Sequence, residues 1–103
     1  MNFLTERTVK KRLGELCKQH NILVIHYPCG SPLAREGFPD YMLYVKPPGK
    51  KGKHAVLEAK SSDGKLSPVQ EEVRELLLSH GATYFIYRAT EEDNAQIINW
   101  SKS

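Results

Sequence analysis

Apolar side chains recur at Val9, Leu13 and Leu16, the spacing of one helical face, while Arg7, Lys10, Lys11, Arg12 and Lys18 fall largely on the other faces. Thr5 stands where a cap belongs, so the pattern predicts an amphipathic first helix. ILVIHY at 22–27 is a short β-branched run, and the turn-rich PCGSPLAREG behind it predicts a strand followed by a long loop. DYMLYV at 40–45 and HAVLEAK at 54–60 predict two further strands around PPGKKG. From Ser67 the chain reads S-P-V-Q, with proline at the first helical position and Gln70 where a capping box needs it, and Gly81 closes that helix. TYFIYRA at 83–89 predicts a fourth strand, and Thr90 opens a last helix carrying Ile97, Ile98 and Trp100. The order α, β, β, β, α, β, α describes an α/β fold, a small mixed sheet flanked by helices.

One position disturbs the pattern. Asp40 stands directly after a proline at the mouth of an apolar run, where a carboxylate is costly to desolvate unless a partner compensates it. If DYMLYV and HAVLEAK form a hairpin, Asp40 and Glu58 lie symmetrically about Gly49, the glycine of the connecting turn. That register sets Asp40 opposite Glu58, and alternation along the strand puts Lys60 on the same face. Opposed carboxylates about 5 Å apart repel, which weakens an ordinary sheet but suits a divalent cation between them. Mg²⁺ or Mn²⁺ fits such a donor set, with the carbonyl of Ala59 as a further ligand. Such an ion polarises a phosphodiester and acidifies a bound water, while Lys60 orients the nucleophile and offsets charge growing on the phosphate.

Composition narrows the setting. A chain of 103 residues, 40% hydrophobic and 26% charged, predicts one domain over 1–103. The net charge of +3 divides unevenly: twelve Lys and Arg face six Asp and Glu up to residue 65, a net +6, and three face six beyond it, a net −3. A local basic patch suits a polyanion. Cys17 and Cys29 are too few for a disulfide framework, and no apolar segment follows the opening MNFLTERTVKKR. The expectation is therefore a protein of the reducing cytoplasm, without a membrane partner. The spacings Cys17-x-x-His20 and His26-x-x-Cys29 suggest zinc, but a strand over 22–27 rising about 3.3 Å per residue holds His20 and Cys29 too far apart to share an ion.

Pro39-Asp40 followed after a hairpin by Glu58-Ala59-Lys60 resembles the signature of the PD-(D/E)XK nucleases, whose fold is restriction-endonuclease-like. R-x-G-x-P-D at 35–40, joined to EAKSSDGKLSPVQ, looks like the virus-type replication and repair nuclease (VRR-NUC) branch, and the resemblance spans roughly Glu6 to Tyr87. It implies a Mg²⁺- or Mn²⁺-dependent endodeoxyribonuclease of phage or bacterial type that acts on branched DNA such as Holliday junctions. It also implies that Glu6 assists at the metal and that Gln70 assists catalysis. Tyr41 departs from the small aliphatic residue that often follows P-D, and a stand-alone form without the extra domains of longer members is the expectation. A short stand-alone form implies a homodimer, since symmetric cutting of a junction needs two sites.

Each residue also has a plainer explanation. Glu6 in a first helical turn meets the helix dipole favourably without any metal, and the capping box accounts for Gln70. Arg35 is either a loop arginine or, five residues before Asp40, a bidentate phosphate contact. Lys46, Lys50, Lys51 and Lys53 lie in a stretch with no acid between Val45 and Leu57, which suits a DNA backbone as well as water. Two other function classes share these residues: a catalytically silent DNA-binding module, and a restriction or toxin-type nuclease with the same chemistry in another role.

Overall fold

Caps fix where the helices begin. In the computed structural model, which describes residues 3–26 and 36–103, helix α1 (Glu6–Gln19) starts at Thr5, whose hydroxyl accepts from the Thr8 amide at 3.2 Å. It ends on Asn21, held at φ 56°, with the Ile22 amide closing onto the Cys17 carbonyl at 2.9 Å. Helix α2 (Pro68–Ser79) opens with the full capping box of Ser67 and Gln70. Its end is a Schellman closure: Gly81, at φ 84°, donates to Leu78, and Ala82 donates to Leu77. Helix α3 (Glu91–Lys102) opens on Thr90 with Asp93 completing a second capping box.

Strands β1 (Leu23–His26), β2 (Tyr41–Val45), β3 (Lys53–Ala59) and β4 (Tyr84–Tyr87) form one sheet in the order β1-β2-β3-β4. The first two pairings are antiparallel and β3 runs parallel to β4, with α2 as the crossover. In the β2–β3 ladder Tyr41 faces Leu57 and Val45 faces Lys53, the predicted register about Gly49. The Lys50 amide donates to the Pro47 carbonyl at 3.1 Å and Gly49 takes φ 71°, so Pro48 and Gly49 occupy the centre of a type II turn. The strand edges differ slightly from expectation. Asp40 stands just before β2, β3 starts at Lys53, and Lys60 follows the end of β3 while its amide still donates to Tyr87 at 3.0 Å.

Alternation divides the sheet. Leu43, Leu57, Ala59 and Tyr87 are at most 1% exposed and close a core with Val9, Leu13, Cys17 and Ile97 from α1 and α3. Trp100 meets Phe85 edge to face, with ring centroids 5.7 Å apart, and Ile98 joins the same cluster. Ile97, Ile98 and Trp100 of the carboxy-terminal helix therefore face the molecule's own core. Arg74 of α2 lies over the Tyr84 ring on the opposite face of the sheet, with Val56 and Val73 both 4% exposed.

Candidate functional site

Asp40 and Glu58 meet at the end of the β2–β3 hairpin away from its turn. The ladder pairs Tyr41 with Leu57, and one further step sets Asp40 against Glu58. Glu58 is 1% exposed and Asp40 7%, in a molecule whose only other buried polar residue, among those described, is Ser101. The approach to Asp40 depends on Gly37, at φ 83°, where an added Cβ would lie 2.6 Å from Val69 Cγ1 and 2.9 Å from the Val69 carbonyl oxygen. Glycine thus lets the loop press against the start of α2 and brings Pro39-Asp40 to the sheet.

Burial pushes the Glu58 carboxyl up to about 8 from an ordinary 4.5, and the hydrogen bond and negative charge of Asp40 push the same way, against the pull of Lys60. One oxygen, Oε2, lies 3.9 Å from the Lys60 ammonium, at the outer limit of an ion pair. The other, Oε1, is buried with no hydrogen-bond partner. An acceptor buried without a donor costs about 1–3 kcal/mol, more if it is charged. Two carboxylates with such an oxygen fit a hard divalent cation that completes its shell with water and phosphate oxygens. Ala59 packs its side chain into the opposite core, leaving its carbonyl as the only ligand it offers.

Glu6 is placed less centrally than the resemblance implies. It pairs with Lys10 at 3.3 Å on α1, half exposed, although its charge is felt at Glu58. Among the described residues no group of three or more His, Cys, Asp or Glu side chains gathers as a metal cage. Gln70 Oε1 accepts from the Ser67 amide at 2.9 Å, so its carbonyl end serves the helix cap. Arg35 lies outside the described residues, as does Cys29, whereas Cys17 is buried and its thiol is pushed up to about 11 by desolvation.

The basic stretch separates into two parts. Lys46, Lys50 and Lys51 are exposed at the hairpin turn. Lys53 instead belongs to β3 and donates to the Ser103 carbonyl at 2.9 Å and hydroxyl at 2.6 Å, with its ammonium 5.3 Å from the centre of the Trp100 ring. It fastens the end of α3 to the sheet, and its ammonium is not among the free turn lysines with which the sequence groups it.

Three residues near the carboxylates escape sequence reasoning. Lys10, expected on an outer helix face, lies close enough to Asp40 to feel its charge. Tyr84 shares the Glu58 face through the parallel β3–β4 register, and its hydroxyl, pushed up to about 12 mainly by burial and then by the Glu58 charge, is buried without a partner. Arg74, one turn beyond Gln70, lies 5.6 Å from the centre of the Tyr84 ring, with its Nε also unpartnered. The i, i+4 relation of Gln70 and Arg74 was visible in the sequence, but the neighbourhood of Tyr84 depended on which strand β4 would join.

No family model, no curated protein and no solved structure matches the chain. No helix among the described residues is long and apolar enough to cross a membrane.

Proposed function

We propose that this protein is a Mg²⁺- or Mn²⁺-dependent endodeoxyribonuclease with a restriction-endonuclease-like PD-(D/E)XK fold, related to the VRR-NUC branch. The observation that carries the reading is the buried Glu58 carboxylate, opposite Asp40, with one oxygen unpartnered and Lys60 at 3.9 Å from the other. A fold that brings two near-buried acids to one place, and leaves an oxygen of one of them without a donor, offers a binding site for a cation. The order of elements, with an antiparallel β1–β2–β3 unit and β4 joined in parallel through a helix, supports the same assignment.

Asp40 and Glu58 would hold the ion, with the Ala59 carbonyl. When bound, the ion supplies Lewis-acid polarisation of the phosphodiester and lowers the pKa of water. Lys60, 15% exposed and tethered loosely to Glu58, reaches the space beside the carboxylates, where it orients the attacking water and offsets charge on the phosphate oxygens. The Gln70 amide end and the Arg74 guanidinium add donors from α2. Branched DNA is the proposed substrate and a homodimer the proposed working form, because one small site cuts one strand.

The test is a cleavage assay on labelled four-way junction, flap, duplex and single strand, with Mg²⁺, Mn²⁺ or EDTA. Metal-dependent cutting is expected, with Lys60→Ala about 100-fold slower in single turnover at little change in DNA affinity. Binding without cutting at any metal concentration would favour the silent DNA-binding module.

A further inference from the structure

The Glu58 face of the sheet continues away from the carboxylates. Alternation carries it from Asp40 and Glu58 through the facing pair Met42 and Val56 to the facing pair Tyr44 and His54, beside the hairpin turn. Only part of this face lies under α2. At its far end Leu23 is 60% exposed and Tyr44 36%, and His54 is exposed as well.

These residues line an open groove of about 490 Å³ whose wall also includes Lys46, Gly52 and Lys53. The Tyr44 and His54 rings lie 5.9 Å apart, tilted by 33°, and the Tyr44 hydroxyl comes within 3.8 Å of Met42 Sδ, a long contact with the next residue of the same face toward Asp40. A partly exposed aromatic ring on a sheet offers surface on which a nucleobase stacks whatever its sequence. Lys46 lines the groove, and exposed Lys50 and Lys51 follow in the same hairpin turn just before Gly52, with no acidic residue between Val45 and Leu57. Aromatic surface edged by lysine matches the chemistry of an unpaired nucleotide, whose base stacks while its phosphate is neutralised. A duplex keeps its bases stacked on one another and offers the ring no face.

We propose that this groove is a subsite for an unpaired segment of the nucleic-acid strand, with Tyr44 and His54 stacking a base and Lys46, Lys50 and Lys51 taking its phosphates. It rests on the nuclease reading for its relation to the cut. Four residues of strand at about 3.3 Å each separate Tyr44 from Asp40 by about 13 Å, the rise of about four stacked nucleotides. The subsite therefore selects substrates that carry an unpaired stretch about that distance from the cleaved bond, such as flaps and opened junctions.

Fluorescence anisotropy in EDTA, with a labelled single-stranded oligonucleotide and a blunt duplex, separates this proposal from the chemistry. Tyr44→Ala is expected to weaken single-strand binding about tenfold while leaving duplex binding within about twofold, and Tyr44→Phe to behave like wild type. The Lys50→Ala, Lys51→Ala double variant is expected to weaken both ligands and to flatten the salt dependence by up to about one unit of log-log slope for each phosphate no longer neutralised. An exposed site leaves the melting temperature unchanged, which excludes misfolding as the cause. Unchanged single-strand binding by Tyr44→Ala, or an equal loss on both ligands, overturns the subsite. If the protein cuts DNA and Tyr44→Ala still binds single strands normally, the subsite fails alone. If wild type binds single strands in the predicted way yet never cuts, the nuclease reading fails and the subsite stands. A protein that binds neither ligand overturns the subsite, while the nuclease reading stands or falls on the cleavage assay with Mg²⁺ or Mn²⁺.

Discussion

The two faces of one sheet are built on opposite rules. On the face toward α1 and α3, Leu43, Leu57, Ala59 and Tyr87 interdigitate with helix side chains, and the Tyr87 hydroxyl finds Asn94 at 2.7 Å. On the other, Glu58 Oε1, Tyr84 Oη and Arg74 Nε are all buried without partners, within one small region. Polar atoms in a well-packed protein are nearly always paired, so the contrast separates residues that hold the fold from residues that the fold holds for something else. Neighbouring positions of one strand can therefore have contrary effects when replaced: Leu57 stabilises the fold, whereas the buried Glu58 carboxylate next to it costs stability.

The sharpest way to break this contrast is to remove the acids. Asp40→Asn and Glu58→Gln are each expected to bring metal-dependent cleavage down to background without lowering the melting temperature. Either variant cutting at near wild-type rate would leave the face without a metal role. Next in size is the opposite face, where Leu57→Ala empties a site that is 0% exposed and is expected to cost about 2–5 kcal/mol. Denaturant unfolding measures it, and a loss below about 1 kcal/mol would show that this face is not the packed one.

A pH comparison sharpens the same point in the metal-free protein. Folded Glu58 titrates near 8 and an unfolded glutamate near 4.5, so between these values the folded chain binds more protons than the unfolded one. Stability from this group is present at low pH and is lost as pH rises through about 8. In EDTA the wild type is expected to gain melting temperature from about pH 8.5 to about pH 5.5 relative to Glu58→Gln, by about 5 °C if roughly 1 kcal/mol is involved. Parallel curves for the two proteins would mean that the carboxylate is well solvated.

The smallest expected effect is at Tyr84. Its hydroxyl has no partner to lose, so Tyr84→Phe is expected to leave stability unchanged or to raise it by up to about 1 kcal/mol. A fall of more than about 1 kcal/mol in denaturant unfolding would place that hydroxyl in a network the fold needs.

Much of this was written locally. The Thr5, Ser67 and Thr90 caps, the Asn21 and Gly81 closures and the apolar spacing of α1 depend on residues within a few positions of one another, and there propensity and hydrogen bonding act without the rest of the chain. The β2–β3 register was legible for the same reason, because Pro48 and Gly49 set the turn and the turn sets every pair behind it. With the register came the meeting of Asp40 and Glu58. What local signals could not contain was the partner of each remaining face. β4 could have joined either edge, and only its parallel place beside β3 brought Tyr84 to Glu58 and α2 with Arg74 above it. The lysines of the hairpin look equivalent in sequence, yet Lys53 meets Ser103 and Trp100 across the fold while Lys50 and Lys51 remain in water. Ile97, Ile98 and Trp100 could equally have made an outer surface, and the open side of the sheet above α1 drew them inward. Contacts between residues far apart in the chain are settled by which apolar surfaces are left to cover once local structure has formed, and that competition belongs to the tertiary structure alone.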